Sequence, residues 1–252
     1  MLANAAFRIG ANSLRGVIHR MVFINRTLTD TERDDVEAWV KHDKVYAAVL
    51  GDSTVAITAS PTPNAQKVSD FVGGLVSGAA DVSEAGSFIS TQLGYWSAIA
   101  DKTQLDVVVV QIGLNDCKSR IGGNTATTAQ VITDLQSLIT TINTDKPAGC
   151  KVYIAALTPC KVWLDAATNP SAAYAGWLAV NEAIAGDGAT PITGVDGRIT
   201  SHVAALNDGS GNLLAIYDHN ADGVHESNEA RIIIAQAWRT ALEAGGVLEA
   251  AA

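Results

Sequence analysis

Three short polar blocks, far apart along the chain, contain side chains that together could carry out nucleophilic catalysis. One block ends in Ser53, a second contains Asn115, and the third contains Asp222 followed three residues later by His225. A serine hydroxyl is a weak nucleophile until a neighbouring base takes its proton, and imidazole titrates near neutral pH. A carboxylate can hold the imidazole in one tautomer and stabilise its charged form. The sequence therefore predicts Ser53 as nucleophile, His225 as base and Asp222 as the partner of the base.

The segments around these blocks have the patterns of strands and helices in alternation. Continuous apolar runs over 45–50, 105–112 and 152–157 are typical of parallel strands buried on both faces, and weaker strands are predicted near 79–82 and 192–195. Between them, apolar residues recur at helical spacing. One such stripe consists of Val68, Phe71, Val72 and Leu75, and further helices are predicted around 89–96, 131–142, 174–184 and 230–242.

This alternation predicts an α/β fold, a three-layer α/β/α sandwich around a five-stranded, mainly parallel sheet. In such sheets the functional side chains collect at the carboxyl ends of the strands. Ser53 and Asn115 each follow a predicted strand, and His225 precedes the last predicted helix. The three blocks are therefore expected to meet at one edge of the sheet.

In this order and on these elements, the blocks resemble those of the SGNH, or GDSL-like, hydrolases. The matching motifs are Gly-Asp-Ser at 51–53, Gly-x-Asn-Asp at 113–116 and Asp-x-x-His at 222–225, and the resemblance covers about residues 46–245. The family also has a glycine block between the first two, and Gly86 fits it by order and context. The family's usual proline after the histidine is replaced by Glu226. We expect Glu226 to lie in the first turn of the last helix, where negative charge is favourable. The alternative is a carboxylate that points inward and raises the pKa of His225.

The resemblance implies hydrolysis of a carboxylic ester through an acyl-enzyme, with no cofactor and no metal. It assigns the oxyanion hole to the backbone N–H groups of Ser53 and Gly86 and to the side-chain amide of Asn115. Each residue also has a plainer interpretation. Ser53 could cap a helix, Asn115 could close a turn, and Gly86 could be an ordinary turn glycine.

A calcium loop is a competing interpretation of the third block. The EF-hand pattern is matched at Asp218, Asn220, Asp222, Gly223 and Glu229. Against it, the eighth loop position is His225 instead of an apolar residue, and the segment before the loop is a poor incoming helix. The sequence favours the catalytic interpretation and leaves calcium binding as the alternative.

Composition limits the class of protein and of partner. With 252 residues, of which 48% are hydrophobic and 17% charged, the chain is long enough for one well-filled domain and a small appendage. A net charge of −9 argues against nucleic acids and anionic membranes as partners. No apolar run approaches the roughly 20 residues of a membrane span, and the N-terminus lacks the pattern of a signal peptide.

Cys117, Cys150 and Cys160 are expected to be buried thiols, with one disulfide as the alternative.

Residues 1–45 are predicted to form a strand–helix appendage, and residues 46–252 the hydrolase domain. The segment 10–43 resembles the end of a concanavalin/laminin-G-like lectin domain, with a strand at 17–24 and an Asn-Arg-x-Leu-Thr turn at 25–29. The alternative is a leader that packs on the hydrolase. A lectin-like remnant implies a larger, extracellular or virion-associated protein and a glycan substrate. We therefore predict short-chain acyl (acetyl) esters on a carbohydrate as substrates.

The alternatives within the class are lipid and aryl esters and thioesters. Outside it, the chain could be a non-catalytic carbohydrate- or calcium-binding module. The sequence leaves open the acyl length, the alcohol, the oligomeric state and the compartment.

Overall fold

A computed structural model of the chain describes Thr29 and residues 44–56, 67–77, 80–219 and 221–248. The strand and helix predicted within residues 1–45 lie outside the described residues. The division into an appendage over 1–45 and a domain over 46–252 therefore stays a prediction.

The core of the fold is one sheet of five strands that are all parallel. The strands are β1 (Val45–Gly51), β2 (Leu75–Val76), β3 (Val107–Gln111), β4 (Lys151–Ala155) and β5 (Gly197–Ile199). Their order across the sheet is β2-β1-β3-β4-β5. Every pair is parallel, and Gly51 at the end of β1 lies beside Gln111 at the end of β3. The order is that of a doubly wound sheet, whose topological switch point lies between β1 and β3.

Helices cover both faces of the sheet. They are α1 (Ile89–Ala98), α2 (Thr128–Asp145), α3 (Lys161–Leu164), α4 (Pro170–Ala185), α5 (Ser201–Leu206) and α6 (Asn228–Ala244), with a 3₁₀ helix at Val68–Phe71 and a π-helical turn at Asp116–Ile121.

Two apolar cores result, one on each face. Val108 and Val110 of β3 join the core that includes α1, α2 and α4, whereas Val107 and Val109 join the core that includes α6. Because successive residues of a strand point to opposite faces, a strand covered on both sides is apolar throughout. The structure confirms the predicted three-layer α/β sandwich.

Two of the weaker strand predictions are displaced. The second strand is Leu75–Val76, so Leu75 does not belong to a helical stripe, and of the 79–82 segment Asp81 forms a single bridge to Val49. The fifth strand begins at Gly197 and not at Ile192. Ile192 is apolar because it is buried in a connecting segment, where its N–H bonds the carbonyl of Ala183. Burial alone does not distinguish such a residue from one in a strand.

All three cysteines are buried and free, which confirms the expected thiols. Among the described residues, none of the helices has the length and apolar character to cross a membrane.

Candidate active site

His225 and Asp222 form a closely bonded pair. The distance between His225 Nδ1 and Asp222 Oδ2 is 2.6 Å, and Asp222 Oδ1 accepts the backbone N–H groups of Val224 at 3.0 Å and His225 at 2.9 Å. Partial burial alone would raise the pKa of Asp222, but the hydrogen bonds from His225 and Val224 outweigh it and lower the pKa. With Nδ1–H directed at the carboxylate, Nε2 of His225 keeps its lone pair. That is the arrangement a general base requires.

The loop before His225 is closed by Asp218. Its carboxylate accepts the N–H of Asp222 at 3.1 Å and that of Gly223 at 2.8 Å, and the N–H of His219 bonds the carbonyl of His225 at 2.9 Å. Gly223 has φ +77°, a left-handed conformation in which glycine carries no strain. The loop thereby fixes the backbone on both sides of the Asp222–His225 pair.

The same bonds bear on the calcium alternative. Both oxygens of Asp222 are engaged within the loop, and Glu229, the last position of the pattern, is exposed on the first turn of α6. Asn220 lies outside the described residues. Among the described side chains, no group of three or more His, Cys, Asp or Glu residues could hold a metal ion.

Ser53 lies in a turn that follows β1. The N–H groups of Val55 and Ala56 both bond the carbonyl of Asp52, and the Asp52 carboxylate accepts the Thr54 N–H at 3.0 Å and its hydroxyl at 2.9 Å. Ser53 itself is 8% exposed. No helix begins at Ser53 in the described part of this turn, so the helix-cap interpretation has no support there.

Arg231 of α6 connects this turn to the His225 segment. Its guanidinium donates to the carbonyl of Ser53 at 3.0 Å and to that of Ala56 at 2.8 Å, and it is 1% exposed. Burial raises the pKa of Glu226, next to His225; the nearby Arg231 charge opposes the change, and the Asp52 carboxylate adds to it. The residues next to Ser53 and next to His225 are therefore neighbours.

The Asn115 and Gly86 blocks are also joined. The Asn115 amide donates one N–H to the carbonyl of Ser87 at 3.0 Å, and Asp116 accepts the N–H of Ile89 at 3.0 Å. One N–H of Asn115 remains, and the backbone N–H groups of Ser53 and Gly86 make no hydrogen bond with any described residue. Gly86 has φ +78°, and an added Cβ there would meet nothing within 4 Å. Glycine at 86 is thus favoured by backbone conformation and not by lack of space.

The structure brings the blocks to one edge of the sheet but forms no hydrogen bond from the Ser53 hydroxyl to a described residue. Catalytic hydrogen bonds are often absent or long until substrate binds. The roles of Ser53, Gly86, Asn115, Asp222 and His225 therefore remain predictions. Of the other described histidines, His219 is exposed, and His202 is buried, with Nε2 2.9 Å from the carbonyl of Ala156. Burial lowers the pKa of His202 to about 4.

Two buried groups beside the site were not expected. The prediction that Glu226 lies in the first turn of the last helix is wrong, because α6 begins at Asn228 after an N-cap at Ser227. It is 4% exposed, and burial raises its pKa to about 8 although Arg231 and Thr158 oppose the change. The burial of Arg231 could have been predicted from the sequence, because Arg231 precedes Ile234 by three residues and Trp238 by seven, the spacing of one buried helical stripe.

No protein-family model and no curated protein matches the chain. A GDSL-like lipase from Bacteroides thetaiotaomicron is 17% identical, with a TM-score of 0.57 over 85% of this chain and 98% of the other. An acetylxylan esterase from Geobacillus stearothermophilus is 14% identical, with a TM-score of 0.54 over 82% of this chain and 97% of the other. The chain therefore has the fold of these GDSL-like lipases and esterases.

Proposed function

We propose that the chain is a serine ester hydrolase in which Ser53 is the nucleophile and His225, held by Asp222, is the base. The observation that carries the proposal is the 2.6 Å contact between His225 Nδ1 and Asp222 Oδ2, and the bond from Arg231, six residues after His225, to the carbonyl of Ser53 supports it. The fold shared with GDSL-like lipases and esterases supports the same reaction class.

In the proposed reaction, the Ser53 hydroxyl attacks the ester carbonyl as its proton passes to Nε2 of His225. The new Oγ–C bond produces a tetrahedral intermediate. Its oxyanion accepts hydrogen bonds from the backbone N–H groups of Ser53 and Gly86 and from the side-chain amide of Asn115. The C–O bond to the alcohol then breaks, and the imidazolium returns its proton to the leaving oxygen. A water molecule, activated by His225, hydrolyses the acyl-enzyme in the same sequence of steps.

Short-chain acyl groups on a carbohydrate are the substrates we propose, with lipid or aryl esters and thioesters as the alternatives within the class. The structural likeness to an acetylxylan esterase supports an acetylated glycan. The lectin-like resemblance of residues 10–43, which lie almost entirely outside the described residues, points to a glycan as well. We also propose that nucleic acids are not partners, in line with the net charge of −9.

The test is hydrolysis of 4-nitrophenyl acetate and of acetylated polysaccharides by the wild type and by Ser53→Ala. We expect Ser53→Ala to lower kcat by about 10⁴-fold or more, because no other group can form the acyl-enzyme. Ser97→Ala is the matched control, since Ser97 is exposed on α1 and its hydroxyl bonds only the carbonyl of Leu93. A wild type that hydrolyses no ester, but binds glycan or gains thermal stability from calcium, would replace the proposal by a binding module.

A further inference from the structure

The ammonium group of Lys118 lies at the edge of the candidate site and contacts no anionic group. It lies in the π-helical turn three residues after Asn115, and its Nζ is 3.9 Å from the centre of the Trp163 ring. The Lys118 ammonium makes no salt bridge or hydrogen bond with any described residue.

Among the other described lysines and arginines, only Lys44, which is exposed just before β1, also lacks a hydrogen bond and a salt bridge to a described residue. Each of the others bonds a carboxylate or a backbone carbonyl: Lys67, Lys102, Arg120, Lys146, Lys151, Lys161, Arg198, Arg231 and Arg239.

The Lys118–Trp163 pair borders the loop that holds the proposed base. Trp163 belongs to α3, and a Cβ placed on Gly223 would come within 3.2 Å of the Trp163 backbone nitrogen and 3.0 Å of Val162. Partial burial lowers the pKa of Lys118, and the nearby Asp222 carboxylate opposes the change. Lys118 is therefore a half-buried cation close to the Asp222–His225 pair.

This arrangement lacks a hydrogen-bond acceptor. An ammonium has three N–H donors, and an aromatic face attracts the charge but accepts these donors poorly. In a chain with a net charge of −9, carboxylates are available to pair with surface cations, as they do with most of the others. The Nζ of Lys118 lies over the indole ring, and its N–H donors have no acceptor among the described residues.

We propose, on the basis of the proposed function, that Lys118 and Trp163 form a subsite for a carboxylate on the alcohol part of the ester. Because the acyl group in that function is short, an anionic group of the substrate must be on the alcohol. The preferred substrates are then acetylated acidic sugars, such as units of uronic acid, and not neutral ones.

The test compares two acetyl esters that differ only in charge, 4-acetoxybenzoate and 4-acetoxybenzamide. We expect the wild type to favour the benzoate in kcat/KM by about tenfold, which corresponds to about 1.4 kcal/mol, because the ammonium can donate a hydrogen bond to the charged carboxylate. Lys118→Met should abolish this preference, Lys118→Arg should retain most of it, and added salt should weaken it. Lys102→Met is the matched control, because Lys102 lies over Trp96 at 5.0 Å in the segment that precedes β3.

Three results would overturn the subsite: no preference in the wild type, a preference that survives in Lys118→Met, or an equal loss on both esters. A second pair of esters, 4-nitrophenyl hemisuccinate and 4-nitrophenyl butyrate, differs in charge on the acyl group. If the wild type prefers the hemisuccinate and Lys118→Met abolishes that preference, the subsite binds an anion on the acyl group, and the assignment to the alcohol is overturned. If the wild type hydrolyses neither acetyl ester, the proposed function fails instead. The subsite is then judged by calorimetric binding of 4-acetoxybenzoate to Ser53→Ala: weaker binding when Lys118→Met is added supports it, and unchanged or absent binding overturns it.

Discussion

At the scale of single residues, the Asp222–His225 pair has the properties of a base and its partner. Asp222 uses one oxygen for the imidazole and the other for two backbone N–H groups, so that its position and its charge are both fixed. The bonded Nδ1 leaves Nε2 as the reactive nitrogen. No other described histidine forms a salt bridge: His202 bonds a carbonyl, and the exposed His219 only lies near enough to Glu229 to help lower the pKa of that carboxylate.

Replacing Asp222 by Asn should leave the fold intact and lower kcat by about 10³–10⁴-fold, because an amide N–H directed at Nδ1 favours the wrong tautomer of His225. The measurement is steady-state hydrolysis of 4-nitrophenyl acetate together with the melting temperature. Asp208→Asn is the control, since Asp208 also accepts N–H groups of its own exposed loop. If Asp222→Asn kept the wild-type kcat, Asp222 would have no part in the reaction.

At the scale of elements, α6 and the turn at Gly86 position the proposed catalytic groups. The helix begins directly after the His225 segment, where the Ser227 hydroxyl accepts the N–H of Ala230 at 3.3 Å. One turn later, Arg231 reaches the carbonyl of Ser53. A single helix therefore fixes both the base and the nucleophile turn, while the bond from Asn115 to Ser87 fixes the Gly86 turn from the other side.

Gly86→Ala should destabilise the chain by about 1–2 kcal/mol, the cost of a left-handed conformation for a residue with a Cβ. It should also lower kcat, because any relaxation of φ moves the N–H proposed for the oxyanion hole. Gly94→Ala is the matched control: Gly94 is exposed in the middle of α1, an added Cβ meets nothing within 4 Å, and alanine there should stabilise by about 0.5–1 kcal/mol. Urea unfolding and ester hydrolysis give both quantities, and equal effects of the two substitutions would contradict the role of Gly86.

At the scale of the whole molecule, the blocks meet over a buried group of ionisable side chains. Burial raises the pKa of Glu226 to about 8 and that of Asp52 to about 6, and Asp116 adds to the shift of Asp52. The folded state thus retains protons that the unfolded chain has already released. Since the unfolded state binds fewer protons over this range, the free energy of unfolding must fall as the pH rises.

For Glu226, the stabilising contribution is complete below the ordinary pKa of 4.5 and is lost as the pH rises toward about 8. Each such group contributes a slope of at most about 1.4 kcal/mol per pH unit. Glu226→Gln should therefore lose less stability than the wild type between pH 5 and pH 8. Urea denaturation at both values measures this, with the exposed Glu229→Gln as control. A variant with the same pH dependence as the wild type would show that Glu226 ionises normally.

Much of the architecture could be predicted from the sequence because its signals are local. The apolar runs that became β1, β3 and β4 reflect burial on both faces, and the helical stripes became α1, α2, α4 and α6. The short elements were misplaced or missed, among them β2, β5, α3 and the π-helical turn. Two to six residues carry too little periodicity to distinguish a strand from a buried connection such as that at Ile192.

The order and residue types of the polar blocks were enough to pick out Asp222 and His225, because a three-residue spacing already places the two side chains within reach of each other. The burial of Glu226, the tether from Arg231 to Ser53 and the placement of Lys118 over Trp163 depended on the tertiary structure. Each joins segments that are 45 or more residues apart, or depends on what covers a side chain. Such relations are set by how the layers pack: the spacing on α6 indicates that Arg231 is buried, but the local sequence does not show which distant residue it meets.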